Sequence, residues 1–506
     1  MVSAVRPAYA LAVDARDARF DGVFFVGITT TRVYCRPVCP SRLAHDHHRR
    51  FFDSAAAAER AGFRPCLRCR PELAPGRAVL DAVSRLARAA AERIAAGALN
   101  GRSVADLARD LGVSERHLRR ALEREVGVPP LGLAQTHRLL LAKRLLVDTG
   151  LSVTRVAYAS GFQSLRRFNA AFRVQYGMPP SALRRGPPVP LPRRKASMSL
   201  HREESLRLTL AYRAPLAWDA LLACLRRDAI PGVEVVVGRR YGRAVRVEGQ
   251  SGVVFAEDAP GPHNIAMEIS ASLVPVLMPL IAGLRRLFDL DAEPAVVDAH
   301  LAEGGLAELL ARRPGVRLPG ALDGFEVALG AVVAGRGGRG CLGRVVAALG
   351  EPLETPYPGL THLAPTAARI AEAGVTSLAG VGVGPRRAEC ITALARAVVS
   401  GALRLEPGGD VGATRRALLE IEGVTERLAT VIVMRALYWP DAFPATDRRL
   451  QRAAGVTGAG ALLARAERWR PWRAYAALHL WLEDARVMLV EEFVQNDEAA
   501  PTARHR

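Results

Sequence analysis

Four cysteines near the start of the chain have the residue type and spacing of metal ligands. They form two close pairs, Cys35 with Cys39 and Cys66 with Cys69. The C-x3-C and C-x2-C spacings let short loops present two thiolates each to one tetrahedral ion. Two disulfides, or unrelated buried thiols, are the alternatives, but nothing in the sequence indicates an oxidising compartment. We therefore predict that these four residues hold one zinc ion.

Arginines are interleaved with these cysteines. Arg36, Arg68 and Arg70 lie next to or between the predicted ligands, so the site sits in a positive field. A field of this sign suits the phosphates of a nucleic acid. We predict that these three arginines contact DNA.

The first 75 residues resemble the N-terminal domain of the bacterial Ada DNA-repair proteins. The resemblance implies that Cys35 is a zinc ligand and also the nucleophile that accepts a methyl group from a DNA methylphosphotriester. Bound zinc keeps a thiol deprotonated at neutral pH, so one ion would be both structural and activating. A purely structural zinc site is the alternative. The matching phrases are Val33-Tyr34-Cys35-Arg36-Pro37-x-Cys39 and Gly62-Phe63-Arg64-Pro65-Cys66-x-Arg68-Cys69.

Length and charge set the wider frame. A chain of 506 residues predicts about three or four domains. The net charge of +20, from 70 basic and 50 acidic residues, predicts an anionic partner, most simply double-stranded DNA. The sequence has no signal-peptide pattern and no apolar run of about 18 residues, so we expect a cytoplasmic protein without a membrane partner.

Residues 80–185 are predicted to be helical and internally repeated. A serine cap, an apolar helical face, a glycine-centred turn and an arginine-rich second helix begin at Ser103 and again at Ser152. This pattern predicts two helix-turn-helix units, joined by a helix through residues 139–146.

The repeated segment resembles the AraC-type DNA-binding region. That resemblance implies that the second helix of each unit enters a major groove and reads bases with its early residues. The predicted contacts are Glu115, Arg116, Arg119 and Arg120 in the first unit, and Gln163, Ser164, Arg166 and Arg167 in the second.

The chain then changes character twice. Residues 186–204 are rich in proline and basic residues, which predicts an exposed linker. Residues 205–290 carry short apolar runs at 206–210, 233–237, 244–248 and 264–269, which predict antiparallel strands, and one helix is predicted at 218–227. Residues 291–495 are predicted to be mainly helical.

The region from 205 onwards resembles the AlkA-type alkylbase DNA glycosylases. That family grips backbone phosphates with a helix-hairpin-helix and flips an alkylated purine into a pocket. The resemblance assigns the hairpin to residues 419–425, with Gly423 and Thr425 as DNA contacts. The matching phrases are Leu318-Pro319-Gly320 with Phe325-Glu326, Pro385-Arg386-Arg387-Ala388-Glu389 and the segment 467–475.

Asp447 is the carboxylate that this resemblance assigns to catalysis. A buried carboxylate can stabilise the oxocarbenium-like sugar formed when the N-glycosidic bond breaks. A helix cap is the simpler role for a lone aspartate. Trp472 is the predicted pocket wall. Arg427 occupies the position where a lyase of this fold needs an amine, so we predict no Schiff-base chemistry.

Together these features predict a multidomain α+β protein. The expected units are a zinc domain at 1–75, an all-α double helix-turn-helix domain at 80–185, a small antiparallel β/α domain at 205–290 and an all-α helix-hairpin-helix domain at 291–495. The predicted function is DNA alkylation repair and adaptive response, with methyl transfer to Cys35, promoter binding and excision of alkylated bases such as 3-methyladenine. RNA polymerase is a further candidate partner. The alternative is a regulator and damage sensor whose glycosylase-like half is inactive or only binds DNA.

Overall fold

The computed structural model describes residues 2–42, 44–75, 85–183, 205–259, 263–334 and 338–484. The linker predicted at 186–204 lies outside these ranges, as do residues 80–84 and 485–495 of the predicted domains. The described residues form a mixed α+β structure with a small cysteine-rich domain, a helical region, an antiparallel sheet and a large helical part, which confirms the predicted fold class. Within them, no helix has the length and apolar character needed to cross a membrane.

The N-terminal domain is a four-stranded sheet with two helices. Its strand order is β3-β1-β2-β4, and the β2–β4 pair is parallel. Ser54 caps α2 by accepting a hydrogen bond from the Ala57 amide, as the sequence predicts. The elements are α1 (Val2–Asp14), β1 (Phe25–Ile28), β2 (Val33–Cys35), β3 (Arg49–Phe52), α2 (Ala55–Arg60) and β4 (Arg64–Pro65).

Seven helices follow within the described residues 85–183, and they contain the two predicted helix-turn-helix units. Serines cap the two helices of each unit, and Ser103 forms a full capping box with Asp106. These serines are Ser103, Ser114, Ser152 and Ser164. Gly112 and Gly161 have positive φ in the two turns, a conformation that favours glycine. The helices are α3 (Arg85–Ala95), α4 (Val104–Asp110), α5 (Glu115–Glu125), α6 (Pro130–Asp148), α7 (Val153–Ala159), α8 (Leu165–Tyr176) and α9 (Pro180–Leu183).

A five-stranded antiparallel sheet with the order β5-β9-β8-β7-β6 forms the next part of the chain. The sequence prediction missed β8 because its central residues are buried on both faces and lack the polar alternation of a half-exposed strand. The elements are β5 (Ser205–Ala211), α10 (Trp218–Asp228), β6 (Glu234–Val237), β7 (Arg240–Val247), β8 (Gln250–Asp258) and β9 (Asn264–Ser270).

The rest of the described chain is helical, apart from one short two-stranded ladder. A further helix includes residues 473–484. The remaining elements are α11 (Leu277–Leu287), α12 (Pro294–Leu301), α13 (Ala307–Arg312), α14 (Gly324–Val333), α15 (Gly338–Leu349), β10 (Glu351–Pro352), β11 (His362–Leu363), α16 (Ala367–Gly380), α17 (Pro385–Val399), α18 (Val411–Leu419), α19 (Glu426–Ala436), α20 (Arg448–Ala453) and α21 (Ala459–Ala466).

The five-stranded sheet is buried on both of its faces. Val254 of β8 packs in one apolar cluster with Leu139 of α6 and Phe172 of α8. Its neighbour Phe255 packs in another cluster, with α14, α15 and the helices around the hairpin. Because successive strand residues point to opposite faces, β8 joins the helix-turn-helix region to the C-terminal helices.

Candidate functional site

The four predicted zinc ligands converge at the ends of two paired strands. The β2–β4 register places Tyr34 opposite Pro65, so Cys35 and Cys66 follow side by side. All four sulfur atoms lie within 4.8 Å of one another, and the four cysteines are buried and free of disulfides. A tetrahedral zinc–thiolate site needs sulfurs about 3.8 Å apart. The arrangement therefore fits one zinc ion and removes the disulfide alternative.

The cluster requires a cation to hold its charge. The sulfur of Cys39, followed by those of Cys66 and Cys69, raises the pKa of the Cys35 thiol in the absence of an ion. Four thiolates packed so closely repel one another, and a divalent ion offsets that repulsion.

Hydrogen bonds from outside the cluster divide the four ligands into two groups. The backbone amides of Arg36 and Arg68 donate to the sulfurs of Cys69 and Cys66, at 3.4 and 3.3 Å. Among the described residues, none outside the cluster donates such a bond to the sulfur of Cys35 or of Cys39. A donor stabilises a thiolate and weakens its nucleophilicity, and the sulfurs of Cys35 and Cys39 are without that restraint.

Two of the three arginines predicted to contact DNA near the zinc site are engaged within the protein. The guanidinium of Arg36 forms an ion pair with Asp21 and also donates to the Cys69 carbonyl. Arg70 makes a bidentate pair with Asp148 at the end of α6, at 2.7 and 2.8 Å. Only Arg68 of the three remains exposed. Because each guanidinium already has a carboxylate partner, a phosphate would have to compete with that partner, and the DNA contacts of Arg36 and Arg70 stay predictions.

The predicted base-reading residues lie on the second helix of each helix-turn-helix unit. Arg116, Arg120, Arg166 and Arg167 are exposed there, and so is Gln163 just before α8. Two polar candidates have local partners. Glu115 accepts from Arg119 one turn later, at 2.5 Å, and Ser164 caps α8. The exposed arginines are the side chains of this set that are free to reach a groove.

The predicted hairpin connects α18 and α19. Gly423 has φ of +88°, which favours glycine, whereas Thr425 is extended and caps α19 by accepting from the Leu428 amide. The left-handed residue of the turn is therefore Gly423, and a threonine fits at position 425 without strain. Both residues are exposed.

Asp447 is both a helix cap and a cavity residue. Its Oδ1 accepts hydrogen bonds from the amides of Arg449 and Leu450 at the start of α20, and only 3% of the residue is exposed. Its Oδ2 accepts from Nε of Arg427 at 2.7 Å, across from α19. The carboxylate is therefore held in one orientation by the helix and neutralised by a half-exposed guanidinium.

A cavity of about 470 Å³ opens beside Asp447, between the five-stranded sheet and helices α14 and α19. Trp472 does not line it, because its buried ring packs edge-on against Tyr475 in the C-terminal core. The aromatic residue on the cavity wall is Trp481, so the predicted pocket wall is corrected.

Sequence reasoning missed a buried charge cluster on the cavity wall. Arg243 of β7 forms ion pairs with Glu234 of β6 and with Glu326 of α14. All three residues line the cavity. The phrase Phe325-Glu326 was part of the resemblance to the glycosylases. The sequence alone does not indicate that Glu326 pairs with Arg243, because the two residues are far apart along the chain.

Comparisons with known proteins agree with this architecture. Family models match the chain as the metal binding domain of Ada (residues 8–72), a helix-turn-helix domain (107–186) and the AlkA N-terminal domain (207–323). The chain is 38% identical over 479 residues to a probable bifunctional transcriptional activator/DNA repair enzyme AlkA of Mycobacterium tuberculosis, covering 93% of this chain and 95% of that protein.

The C-terminal half has relatives of its own. It is 34% identical over 278 residues to DNA-3-methyladenine glycosylase 2 of Escherichia coli, covering 54% of this chain and 96% of that protein. Among solved structures, a 3-methyladenine DNA glycosylase from Archaeoglobus fulgidus aligns with a TM-score of 0.48 at 20% identity, covering 55% of this chain and 98% of that one.

Proposed function

The chain belongs to the family of bifunctional transcriptional activators and DNA repair enzymes of the AlkA type, and we propose that it joins three activities in alkylation repair. The cysteine cluster accepts methyl groups from DNA methylphosphotriesters, and the two helix-turn-helix units bind promoter DNA. The C-terminal half releases alkylated bases such as 3-methyladenine by hydrolysis. DNA is the common partner, as promoter sites and as alkylated lesions. An activator acts through RNA polymerase, which is the protein partner we propose.

The observation that carries the methyl-acceptor role is the sulfur of Cys35. It belongs to a four-sulfur cluster that fits zinc, and it lacks the backbone donors that the sulfurs of Cys66 and Cys69 have. Bound zinc would keep this sulfur in its thiolate form. The Cys35 sulfur attacks the methyl carbon, the C–O bond breaks, and its electron pair remains on the phosphate oxygen, which restores a diester.

The glycosylase role rests on Asp447 at the cavity wall. When the glycosidic bond of an alkylated base breaks, its electron pair leaves with the base and positive charge develops on the sugar. The fixed carboxylate of Asp447 stabilises that charge while water adds to the sugar carbon and loses a proton to solvent. Arg427 stays protonated and cannot form a Schiff base, so the products are a free base and an abasic site.

One contact favours a second candidate function. The ion pair between Arg427 and Asp447 offsets the negative charge that would stabilise the sugar. With Arg427 fixed there, the C-terminal half would be a DNA-binding platform of a regulator rather than an enzyme. The two candidates differ in whether wild-type protein releases base from methylated DNA.

Mass spectrometry tests the methyl-acceptor role. The full chain is incubated with DNA that carries methylphosphotriesters and is then digested to peptides. We expect one added methyl group on the Cys35 peptide and none on the peptide of Cys224, a buried thiol in α10 that serves as an internal control. Methylation of none of the four zinc cysteines would leave the site with a purely structural role, and methylation of Cys39, Cys66 or Cys69 in place of Cys35 would overturn the assignment of the acceptor.

A further inference from the structure

One end of the cavity beside Asp447 carries more carboxylates than guanidinium groups. Arg243 directs one nitrogen to Glu234, at 2.8 Å, and the other to Glu326. Both carboxylate oxygens of Glu234 have hydrogen-bond partners, since Glu234 also accepts from the Tyr241 hydroxyl and from the Ile230 amide. One guanidinium therefore faces two acids, and the cluster keeps an excess negative charge when both are ionised.

Glu326 has an oxygen to spare. Its Oε2 accepts from Arg243, and no described residue donates to its Oε1. Oε1 is not a fully buried atom, and it is accessible from the cavity that Glu326 lines. An accessible carboxylate oxygen in a largely enclosed site is a strong acceptor for a positively charged group.

The other guanidinium groups of the wall pair away from these two acids. Arg427 and Arg449 pair with Asp447 and Asp484. Arg227 and Arg435 share Asp228. Arg339, exposed on α15, forms no ion pair with Glu234 or Glu326. The end of the cavity formed by β6, β7 and α14 is thus its electronegative end.

Aromatic rings, which could also attract a cation, are scarce in the cavity. Trp481 is the one aromatic side chain among the described residues that line it. A purine alkylated on a ring nitrogen carries a positive charge while it is attached to the sugar. Stacking on a single ring attracts such a cation only weakly.

We propose that Glu326 is the specificity-determining residue of the glycosylase half, and that it selects cationic, alkylated bases by direct charge attraction through its free oxygen. The proposal rests on the glycosylase role assigned above and adds the residue that reads the lesion. A base that is damaged but neutral gains nothing from this carboxylate and must rely on shape.

Glu326→Gln tests the proposal in the full-length protein. Glutamine keeps an oxygen for Arg243 and removes only the charge, and circular dichroism checks that the fold is retained. Glu351→Gln is the matched control, because Glu351 also pairs with an arginine of β7, Arg246, but lies outside the cavity wall. Single-turnover release is measured for 3-methyladenine, which is cationic in DNA, and for hypoxanthine, which is neutral.

We expect Glu326→Gln to slow 3-methyladenine release by about tenfold or more and to change hypoxanthine release by less than about twofold. Glu351→Gln should leave both rates unchanged. An equal loss for both bases would make Glu326 a structural residue and overturn the proposal. No loss for either base would overturn it as well.

A calorimetric titration separates this proposal from the glycosylase role. The probes are an adenine methylated at N3 and N9, which is a permanent cation, and the neutral adenine methylated only at N9. We expect wild-type protein to bind the cation more tightly, and Glu326→Gln to lose that preference. If wild-type protein released no base, the glycosylase role would fail while this titration still decided the role of Glu326. Equal affinity of wild-type protein for both probes would overturn the proposal.

Discussion

At the scale of single residues, the ion pair between Arg427 and Asp447 involves the carboxylate that we propose for catalysis. That carboxylate is buried and oriented by two backbone amides, as a catalytic group should be. Its partner is half exposed and comes from a different helix. We expect bound DNA to displace this guanidinium, which would make the contact a reversible restraint on catalysis.

Replacing Arg427 with glutamine should accelerate the chemical step. A half-exposed ion pair is worth about 0.2–1 kcal/mol, so its removal predicts a rise of about 1.4- to fivefold in the single-turnover rate at saturating protein. The effect of Arg427→Gln on the rate of 3-methyladenine release is measured twice, once in otherwise wild-type protein and once in protein that also carries Asp447→Asn. A similar rise without the Asp447 carboxylate would show that Arg427 acts through another group.

Glu59 gives the N-terminal region a predicted dependence on pH. It is buried between α2 and α6, where it accepts from Thr136 at 2.5 Å and from Tyr34 at 3.0 Å. Burial raises its pKa to about 7, while those hydrogen bonds and the nearby charge of Lys143 oppose the rise. Its ordinary value is 4.5, so between that pH and about 7 the folded state binds more protons than the unfolded state.

Stability should therefore fall as the pH rises through that window. The shift corresponds to about 3 kcal/mol, lost between about pH 5 and about pH 7. Glu59→Gln should remove this part of the dependence, whereas Glu123→Gln, at an exposed site on α5, should keep it. Urea unfolding across the window measures the effect. If the stability of wild-type protein changed with pH in the same way as that of Glu59→Gln, the assignment to Glu59 would be wrong.

At the scale of elements, α6 ties the zinc loop to the helix-turn-helix units. Lys143 is buried and donates to Glu72 at 2.6 Å and to the Cys66 carbonyl at 3.0 Å. Arg70 of the same loop reaches Asp148 at the end of α6. These contacts connect the loop of the cysteine cluster to the helix that lies between the two helix-turn-helix units.

Lys143→Met should loosen this connection. The substitution leaves the buried carboxylate of Glu72 without the Lys143 cation, which lowers the free energy of unfolding by about 3 kcal/mol. This is the low end of such changes, because Arg70 still contacts Glu72. Arg60→Ala is the control, since Arg60 makes one exposed hydrogen bond across the same interface, to the Gly127 carbonyl. Denaturant unfolding should show a loss of less than about 1 kcal/mol for the control. Equal losses of unfolding free energy in the two variants would show that the buried Lys143–Glu72 pair contributes no more than one exposed hydrogen bond.

The sequence predicted those elements whose signals are local. Serine caps and turn glycines located the helix-turn-helix units, and cysteine spacing located the metal ligands. The features that it did not predict are tertiary ones. β8 is buried on both faces, Trp472 points into the core, and Arg36 and Arg70 find carboxylates at positions 21 and 148. No pattern in a single sequence encodes partners so far apart along the chain.

At the scale of the whole molecule, the zinc domain has apolar clusters of its own, whereas the helix-turn-helix region shares one cluster with the five-stranded sheet. The zinc domain reaches the β/α region where the Asp21 carbonyl accepts from Arg213, at 3.2 Å. Its own apolar clusters are small, and one of them contains the four cysteines. The C-terminal helices have two large clusters that do not include the zinc domain.

Removal of zinc should consequently unfold the N-terminal domain alone. A metal site in a small core supplies much of the folding free energy of its domain. After treatment with a chelator, we expect limited proteolysis to cut within residues 8–72 while a fragment containing residues 205–484 survives. Peptide mass mapping identifies the cuts. Equal resistance with and without chelator, or simultaneous loss of both parts, would contradict this prediction.

Release of base from methylated DNA tests the central claim, that one chain combines a methyl-accepting regulator with a working glycosylase. Chromatography of the free bases compares wild-type protein with Asp447→Asn, a variant that keeps a helix cap but loses the charge. We expect wild-type protein to release 3-methyladenine, and the variant to be slower by at least about 100-fold. Release by wild-type protein no faster than the spontaneous background, or an equal rate for the variant, would contradict the account.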